Sequence, residues 1–443
     1  MSFSISSIKQ KLHESISHIC EVSTVFSRKP GVYFTRDRKL PLREVISCLL
    51  SMEGKSLTPE LLRYFGCSAD IVSSSAFVQQ RSKISEDAFP TLFSLFVQKT
   101  DSPHLYKGLR LLAADGSEIQ IPTNPTHTDS YYPGAAGQAP YNLLHLDALY
   151  DLLQHTYTDV ILTGDRTTDE RSNLCSMVDR SQLGTALVIA DRGYESYNLM
   201  AHIQEKGWYF LIRIKDTCSE NGISRGLGLP ESECFDMDID LKLTTRQTKE
   251  TKRLCEDRTQ YRFIPAKNAF DYLPRKNRKH DPVVFYHLPF RIVRFKITDN
   301  TYETVVTNLD KFAFPALELK KLYSMRWGIE TSFRELKYTL GLLHFHAKKV
   351  EYIYLEVFAR LIMYNFAELI TSTVVISKAD TKYTYKANFS VAVHVCRQFL
   401  LGNVSPHDVE ALVRRYVSPI RPGRSRPRKT TDKRAVSFIY RVA

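Results

Sequence analysis

The sequence of 443 residues has no cysteine pattern typical of a metal site. Its eight cysteines are scattered, no Cys-x-x-Cys pair occurs, and no Cys/His cluster has the spacing of a zinc site. This distribution disfavours a zinc-binding domain. It favours reduced, structural thiols in a cytoplasmic protein.

Long uninterrupted apolar runs are also absent. Met1 to Gly31 contains none, so we expect no signal peptide. The most apolar stretch, residues 357–376, includes Arg360 and Glu368, which predicts a buried helix rather than a membrane span. The sequence has no Gly-rich phosphate loop, no nucleophile elbow and no internal repeat. We therefore expect neither a P-loop nucleotidase nor a serine hydrolase of that type.

The chain contains fewer acidic residues than basic residues. The chain has 61 Lys and Arg against 48 Asp and Glu, which gives a net charge of +13 and a pI near 9.2. The composition, 43% hydrophobic and 25% charged, is that of a folded soluble protein, and the length predicts two to four domains. The positive balance suggests a polyanionic partner, although a generally basic soluble protein has the same balance.

Residues 1–105 are predicted to form a helical DNA-binding domain. Short helices follow one another with tight turns, as in a helix-turn-helix module. One of them carries Gln79 and Arg81, side chains of the kind that can read base edges in the major groove. A small helical domain with a polar face is an equally good interpretation.

Residues 106–215 alternate between strands and helices, and they are predicted to form an α/β unit. Asp115 and Asp191 each follow a short apolar run. In sheets of this type the chemistry lies at the carboxyl ends of strands, so both acids are candidate active-site residues. Each also has a turn interpretation, because Asp115 precedes Gly116 and Asp191 precedes Arg192-Gly193.

Residues 216–312 show the alternation of β-strands and are interpreted as a β-rich insertion. A loop within them, residues 270–280, places aromatic residues beside a basic cluster. Arg275 and Lys276 of that cluster are candidate contacts to a phosphate backbone. A solvated run of charge explains the same loop equally well.

Residues 313–345 are predicted to form one helix, which begins after Pro315 and ends before Gly341. Four polar residues of this helix fall within an arc of about 60°, next to an apolar stripe. They are Tyr323, Arg326, Glu330 and Lys337. An ordinary amphipathic helix is the other interpretation.

Residues 346–443 are predicted to be a helical C-terminal region with a basic tail. The helical pattern continues to about residue 400. Residues 418–434 combine prolines with many Arg and Lys, which is typical of an extended arm on nucleic acid.

Asp115, Asp191 and Glu330 lie far apart in sequence, but an α/β sheet and a packed helix could bring them together. Three carboxylates form a hard oxygen site that favours Mg²⁺ or Mn²⁺. Two such ions can activate a water or a 3′-hydroxyl and stabilise the leaving oxygen of a phosphodiester. Arg326 and Lys337 would hold phosphates, and Tyr323 could donate its hydroxyl to a phosphate or stack on a sugar or base.

These residues resemble the signature of a known family. Tyr323-x2-Arg326-x3-Glu330-x6-Lys337 matches the Tyr-Arg-Glu-Lys signature of the bacterial DDE transposases named after insertion sequence four. Asp115 in Leu-Ala-Ala-Asp-Gly-Ser and Asp191 in Asp-Arg-Gly-Tyr look like that family's first and second catalytic aspartates. The resemblance covers most of the chain.

The resemblance implies an α/β fold: a ribonuclease-H-like catalytic core with a β-rich insertion domain, flanked by helical N- and C-terminal regions. It implies that the protein binds terminal inverted repeats as double-stranded DNA, cleaves the element ends with two Mg²⁺ or Mn²⁺ ions, and transfers the 3′ ends into target DNA (cut-and-paste). It also implies a homodimer in the paired-end complex and a place in the bacterial cytoplasm with the nucleoid, with no membrane partner.

Some relatives stack a flipped base on a tryptophan of the insertion. Neither Trp208 nor Trp327 lies in that segment, and Phe270 and Tyr272 are the aromatic residues considered as substitutes. Two other functions stay open at this point. They are an inactive or domesticated DNA-binding relative, and a ribonuclease-H-like nuclease that only hydrolyses.

Overall fold

The computed structural model describes residues 3–36, 38–135, 137–215, 222–274, 284–376 and 384–420. The candidate phosphate contacts Arg275 and Lys276 and the greater part of the basic tail, from residue 421 onwards, lie outside the described residues.

Helices predominate in the described residues before 106 and after 312, as the sequence predicts. Several begin with a side-chain cap: the Ser4 and Ser73 hydroxyls, for example, accept the N–H of the third residue on. The helices of the described residues are α1 (Ile5–Glu21), α2 (Leu42–Ser51), α3 (Leu57–Tyr64), α4 (Ser74–Arg81), α5 (Ala88–Lys99), α6 (Glu170–Arg180), α7 (Tyr197–Glu205), α8 (Lys249–Leu254), α9 (Ala316–Met325), α10 (Trp327–Tyr338), α11 (Val350–Thr373), α12 (Phe389–Leu400) and α13 (Pro406–Arg415).

Strands occupy the middle of the chain, where β-branched and aromatic residues are frequent. Most of them belong to one large mixed sheet, and the last two form a separate small pair. The strands are β1 (Arg110–Ile121), β2 (Tyr131–Tyr132), β3 (Tyr141–Asp151), β4 (Thr156–Gly164), β5 (Ala186–Ala190), β6 (Tyr209–Arg213), β7 (Phe235–Thr244), β8 (Tyr261–Phe263), β9 (Tyr286–Thr298), β10 (Thr301–Thr307), β11 (Tyr385–Ala387) and β12 (Val417–Pro419).

The large sheet has the strand order β2-β3-β1-β5-β6-β10-β9-β7-β8, and β4 also pairs with β3. β1, β3 and β4 form an antiparallel meander. β5 pairs parallel with β1, and β6 pairs parallel with β5. β10 then pairs antiparallel with β6. The strands of the segment interpreted as an insertion therefore extend the same sheet, and its status as a separate domain stays a prediction.

Each face of the sheet is covered by a different hydrophobic core. Leu111 and Ala113 of β1 face a core that contains both the N-terminal and the C-terminal helices. Leu112 and Ala114 point to the opposite face, which is covered by α6 and α7. The alternation follows from the two-residue period of a strand. Helices from both ends of the chain thus share one core with the sheet.

The long helix α11 lies at the centre of the first core. It packs against α5, α12, α2 and α1, and it is buried over most of its length. Its polar residues are paired: the Asn365 amide bonds the backbone N–H and C=O of Tyr157 at 2.9 and 2.8 Å. The prediction of a buried helix here is confirmed. Across the described residues, no helix combines the length and the apolar character that a membrane span requires.

Two local predictions are corrected by the structure. Asp115 does not end a strand, because β1 continues past it and Gly116 pairs in register with Asp147 of β3. The predicted single helix is divided at Arg326 into α9 and α10. Arg326 keeps a right-handed helical conformation (φ −49°, ψ −33°), but its N–H bonds the carbonyl of Tyr323, three residues back. This tighter turn interrupts the α-helical ladder.

Candidate active site

Asp115 and Asp191 occupy neighbouring positions on two parallel strands. Ala114 of β1 pairs with Ala190 of β5, and each aspartate is the next residue along its strand. Asp191 has extended backbone angles (φ −84°, ψ −177°), so the alternation of β5 continues through it. Both side chains therefore belong to the sheet face that the terminal helices cover.

The structure also contains the turn that the sequence indicated at Asp191. Its Oδ1 accepts the N–H of Gly193 at 2.6 Å, which caps the short 3₁₀ turn Arg192–Tyr194. This bond holds the carboxyl at the end of β5. The turn and the candidate site thus use the same side chain in two ways.

Glu330 reaches the same face from α10. This helix packs on β1 through Ile329, Phe333 and Leu336, which are buried in the first core. Gly328 permits the close approach, because a Cβ at that position would lie 2.9 Å from Leu152 Cδ2. The helix therefore presents Glu330 towards Asp115, in the middle of β1, and Asp191, directly after β5.

Arg326 joins two of the three carboxylates. Its guanidinium lies 2.7 Å from Glu330 Oε1 and 3.4 Å from Asp115 Oδ2. The guanidinium carbon also lies 5.2 Å from the centre of the Trp327 ring. The Arg326 side chain is only 7% exposed, so it acts as a buried counter-ion for the acids.

The other two carboxylates are close enough to affect the protonation of Asp115. Burial, with smaller contributions from Glu330 and Asp191, raises the pKa of Asp115 to about 6 against the opposing effects of Arg326 and the Gly116 N–H. A carboxyl whose pKa is raised by burial and by neighbouring acids is typical of sites that gather acids for chemistry. The structure therefore brings Asp115, Asp191 and Glu330 together.

The two remaining signature residues differ in accessibility. Tyr323 is buried, and its hydroxyl has no hydrogen-bond partner among the residues that the structure describes. Burial raises the pKa of Tyr323 to about 12, and Asp191 and Glu303 contribute in the same direction. Lys337 is half-buried in the last turn of α10. Contact of either residue with DNA stays a prediction.

The two candidate base-reading residues of α4 differ in their exposure to solvent. Gln79 is exposed, so its role stays a prediction. Arg81 is 3% exposed and bonds Glu356 of α11 at 2.9 Å. The prediction that Arg81 reads DNA is therefore corrected: its charge is taken up by a buried ion pair that fastens α4 to α11.

The aromatic residues considered for base stacking are mostly committed to the core. Trp208 and Phe270 are buried, and Tyr272 packs against Tyr286 and His202. Trp327 is 55% exposed and lies beside Arg326. Of these aromatic residues, Trp327 has the most accessible ring next to the carboxylates.

Sequence reasoning missed a second polar cluster. His145 and Asp147 of β3 and Glu170 of α6 offer ligand atoms that lie within 4.8 Å of one another. Burial would lower the pKa of His145, but Asp147 and Glu170 raise it to about 10. The signal available in the sequence was the His-x-Asp pair, since residues two apart on a strand share a face.

Known proteins resemble this chain over most of its length. A family model described as "Transposase DDE domain" matches residues 106–366. The chain is 24% identical over 350 residues to "Transposase InsG for insertion sequence element IS4" of Escherichia coli (strain K12), which covers 76% of this chain and 71% of that protein. These matches confirm the resemblance predicted from the Tyr-Arg-Glu-Lys spacing.

A comparison of folds finds a synaptic complex of the piggyBac transposase with hairpin DNA. The TM-score is 0.48 at 10% identity, with 97% of this chain and 88% of that chain covered.

Proposed function

Because the chain belongs to the family of transposases with a DDE domain, we propose that it cleaves and transfers DNA ends with Asp115, Asp191 and Glu330. The observation that carries the proposal is the convergence of these acids on one sheet face. Residues separated by up to 215 positions meet there, two on adjacent parallel strands and one on a helix packed against them. Such convergence has no evident structural benefit, because it concentrates like charge.

The part of the sheet that holds these acids is proposed to be a ribonuclease-H-like core. The support is the topology: an antiparallel meander of β4, β3 and β1 is continued by the parallel strands β5 and β6, and helices follow β4 and β5. The two aspartates lie on the two central strands of this unit.

The donor set fits two hard divalent cations, Mg²⁺ or Mn²⁺. Asp115, Asp191 and Glu330 supply only oxygen ligands, which these ions prefer. When bound, such ions supply an activated water or 3′-hydroxyl and stabilise the leaving oxygen of a phosphodiester. Asp115, with its raised pKa, is an acid that a nearby cation would hold ionised.

Arg326 positions two of these acids and offers donors to the substrate. Its bonds to Glu330 and Asp115 hold the side chains of α10 and β1 in a fixed relation. Its Nε–H makes no hydrogen bond within the described residues but is buried, so contact with a DNA phosphate would require the side chain to move when DNA binds. Lys337, 11 residues further along the chain in the last turn of α10, would add a point charge for a second phosphate.

The proposed substrate is double-stranded DNA that carries the terminal inverted repeats of a mobile element, and the proposed acceptor is target DNA. The net charge of +13 supports a polyanionic substrate. The curated relative is named for insertion sequence element IS4, which supports element ends as the specific sites. We further propose a cut-and-paste reaction in a complex that holds two ends with two copies of the chain.

The test is an end-cleavage assay with the purified full chain. DNA carrying the ends that flank its gene is incubated with and without Mg²⁺, and the products are separated by strand. We compare wild type with Glu330→Gln and Asp191→Asn, and with Asp238→Asn, whose carboxyl is exposed on β7. Cleavage at the element boundary should require Mg²⁺, vanish in the first two variants and persist in the third, while end binding persists in all.

Two results would overturn the proposal. Cleavage by Glu330→Gln at the wild-type rate would show that the acids are wrongly assigned. Specific end binding without cleavage by the wild type, with paired ends supplied, would identify a DNA-binding relative. Nicked products without joined 3′ ends would restrict the function to hydrolysis.

A further inference from the structure

We propose that His145, Asp147 and Glu170 form a second metal site, separate from the three active-site carboxylates, that takes a divalent first-row transition ion such as Zn²⁺. The site lies on the other face of the sheet. His145 and Asp147 alternate with Leu144 and Leu146, which face the first core, and so project to the side that α6 and α7 cover. Asp115 projects to the opposite side.

Two elements, β3 and α6, bring the ligand atoms together. His145 and Asp147 are two residues apart on β3, and Glu170 is the first residue of α6. The His145 Nε2 lies 3.1 Å from Glu170 Oε1 and 3.4 Å from Asp147 Oδ1. Atoms at these separations can share one cation, whose bonds to nitrogen and oxygen ligands are about 2.0–2.2 Å long.

Two of the donor atoms are buried and lack a hydrogen bond. His145 and Asp147 are 7% and 0% exposed. Among the described residues, neither His145 Nε2 nor Asp147 Oδ1 makes a hydrogen bond of acceptable geometry, although the two atoms are 3.4 Å apart. A buried polar atom left unsatisfied costs about 1–3 kcal/mol. A metal ion between them would satisfy both atoms at once.

The remaining atoms of these ligands are already held. His145 Nδ1 lies 3.2 Å from Asp165 Oδ1, and the Tyr132 hydroxyl donates to Asp165 Oδ2 at 2.6 Å. The Asn173 amide donates to Asp147 Oδ2, also at 2.6 Å. Outer partners of this kind orient metal ligands and fix the histidine tautomer. They leave His145 Nε2 and Asp147 Oδ1 as the atoms directed at the centre of the cluster.

Gly116 leaves space for the cluster on one side, and the cluster borders a cavity on another side. At Gly116 of β1, a Cβ would lie 2.3 Å from His145 Nε2 and 2.8 Å from Glu170 Oε1, so a larger residue would intrude on the ligands. On the outer side, a cavity of about 420 Å³ is lined by His145, Glu170 and Arg171. A bound ion could therefore keep a water as a further ligand.

The donor set predicts which ion binds. One imidazole nitrogen and two carboxylate oxygens suit Zn²⁺ or Mn²⁺, whereas Mg²⁺ prefers oxygen ligands throughout. The three active-site acids, by contrast, offer oxygen alone. The two sites should therefore be distinguishable by the metals that fill them.

An ion at this site would brace the segment that follows Asp191. The Arg171 guanidinium, next to Glu170, donates to the Gly193 carbonyl at 2.8 Å, and a Cβ on Gly193 would lie 3.6 Å from Glu170 Oε2. The N–H of the same Gly193 bonds Asp191. Glu170 fixed by a metal would thus restrain the turn that positions an active-site acid. We assign the site a positioning role.

The test uses the full chain with its active-site acids removed. Asp115→Asn/Glu330→Gln protein is stripped with a chelator and titrated with Zn²⁺ alone in a calorimeter, so the result does not depend on the proposed function. One equivalent of Zn²⁺ should bind. Adding His145→Gln should weaken binding at least about tenfold. The thermal unfolding midpoint of the parent protein should rise with Zn²⁺.

His202→Gln is the matched control. His202 is similarly buried and lies 2.9 and 3.0 Å from Asp179 and Asp271, but both of its ring nitrogens are hydrogen-bonded. Zn²⁺ binding should not change in this variant. Glu170→Gln, at a side chain that is 37% exposed, replaces His145→Gln if the latter does not fold.

Two outcomes would overturn the proposal. The first is the absence of Zn²⁺ binding in the chain that lacks the active-site acids. The second is unchanged binding in His145→Gln or, where that variant does not fold, in Glu170→Gln. Either result would identify the cluster as a protonated histidine held among acids.

Discussion

Arg326 shows how a single residue can serve both structure and chemistry. It lies where α9 passes into α10, and its guanidinium neutralises Asp115 and Glu330. The interruption of the helix at this residue could not be read from periodicity, because periodicity assumes a regular turn throughout. The sequence nevertheless indicated all four signature residues, since their spacing is local.

Gly116 is a residue whose small size is required by its neighbours. Replacing it with Ala should destabilise the protein by about 1–3 kcal/mol, because the new Cβ would overlap the buried His145 ring and Glu170. Gly184→Ala is the control, since no atom lies within 4 Å of a Cβ there. Urea unfolding should show a lower midpoint only for Gly116→Ala. Equal midpoints would contradict the packing around the cluster.

Glu356 is the most heavily paired acid of the first core. It is fully buried, and its carboxylate contacts Arg81, Arg360 and His346. Glu356→Gln should cost about 3–5 kcal/mol, because it leaves buried positive charge without its partner. Glu351→Gln, at the half-buried start of the same helix and 3.9 Å from Arg28, should cost about 0–1 kcal/mol. Denaturant midpoints of the two variants test this difference.

At the scale of elements, α11 and β4 are joined by a side chain rather than by backbone pairing. Asn365 of α11 bonds both backbone groups of Tyr157, next to the irregular pairing of β3 with β4. A helix and a strand edge seldom satisfy each other directly, because their backbone groups point in different directions. The buried amide replaces the missing strand partner.

Asn365→Leu should therefore weaken this junction. The two backbone groups of Tyr157 would lose their partners, at about 1–3 kcal/mol each. Hydrogen exchange should become faster at the Tyr157 amide. Asn403→Ala, in an exposed loop, should change stability by less than about 0.5 kcal/mol. Unchanged exchange at Tyr157 would show that the amide bonds are not important for β4.

At the scale of the whole molecule, one sheet separates two functional faces. The candidate active site lies on the face shared with the terminal helices, and the His145 cluster lies on the other. β1 contributes adjacent residues to the two faces, since Asp115 belongs to the candidate active site and Gly116 lies against the His145 cluster. The terminal helices also join distant parts of the chain, as Arg81 and Glu356 show.

Stability should depend on acid pH through Glu356. Burial alone would raise the pKa of Glu356, but His346, Arg360 and Arg81 outweigh it and lower the pKa to about 2. The folded state therefore favours the ionised form. This contribution, roughly 3 kcal/mol, is complete above the ordinary pKa near 4.5 and is lost as the pH falls towards 2.

The unfolding midpoint of the wild type should accordingly fall between pH 4.5 and pH 2. Glu356→Gln should show a shallower fall over the same interval, because it has no proton to bind at this position. Equal slopes for the two proteins would contradict the pKa shift of Glu356.

DNA binding should depend steeply on salt. A basic chain releases counterions from DNA, and the logarithm of its affinity falls by about 0.9 for each phosphate contact per tenfold increase in salt. Residues 421–434, which lie outside the described residues, carry much of the excess charge. Replacing their Arg and Lys with Gln at constant length should reduce this slope. An unchanged slope would exclude the tail from the interface.

Much of the fold followed from local pattern. β5, β6, β7, β9 and β10 lie where alternation or apolar runs placed them, and α11 is buried as its composition predicts. The Asp115-Gly116 dipeptide wrongly indicated the end of a strand, because pairing with β3 overrides its turn preference. The turn propensity of two residues contributes less to the free energy of the fold than a row of cross-strand hydrogen bonds does.

The sequence by itself determined which residues could act, because the Tyr-Arg-Glu-Lys spacing and the two aspartates depend only on neighbours along the chain. Only the tertiary structure decided which of them meet. Strand order placed Asp115 beside Asp191, and helix packing added Glu330. The same packing buried Arg81 against Glu356, 275 residues away, and assembled the His145 cluster. Distances between remote residues depend on topology and packing, which no local spacing encodes.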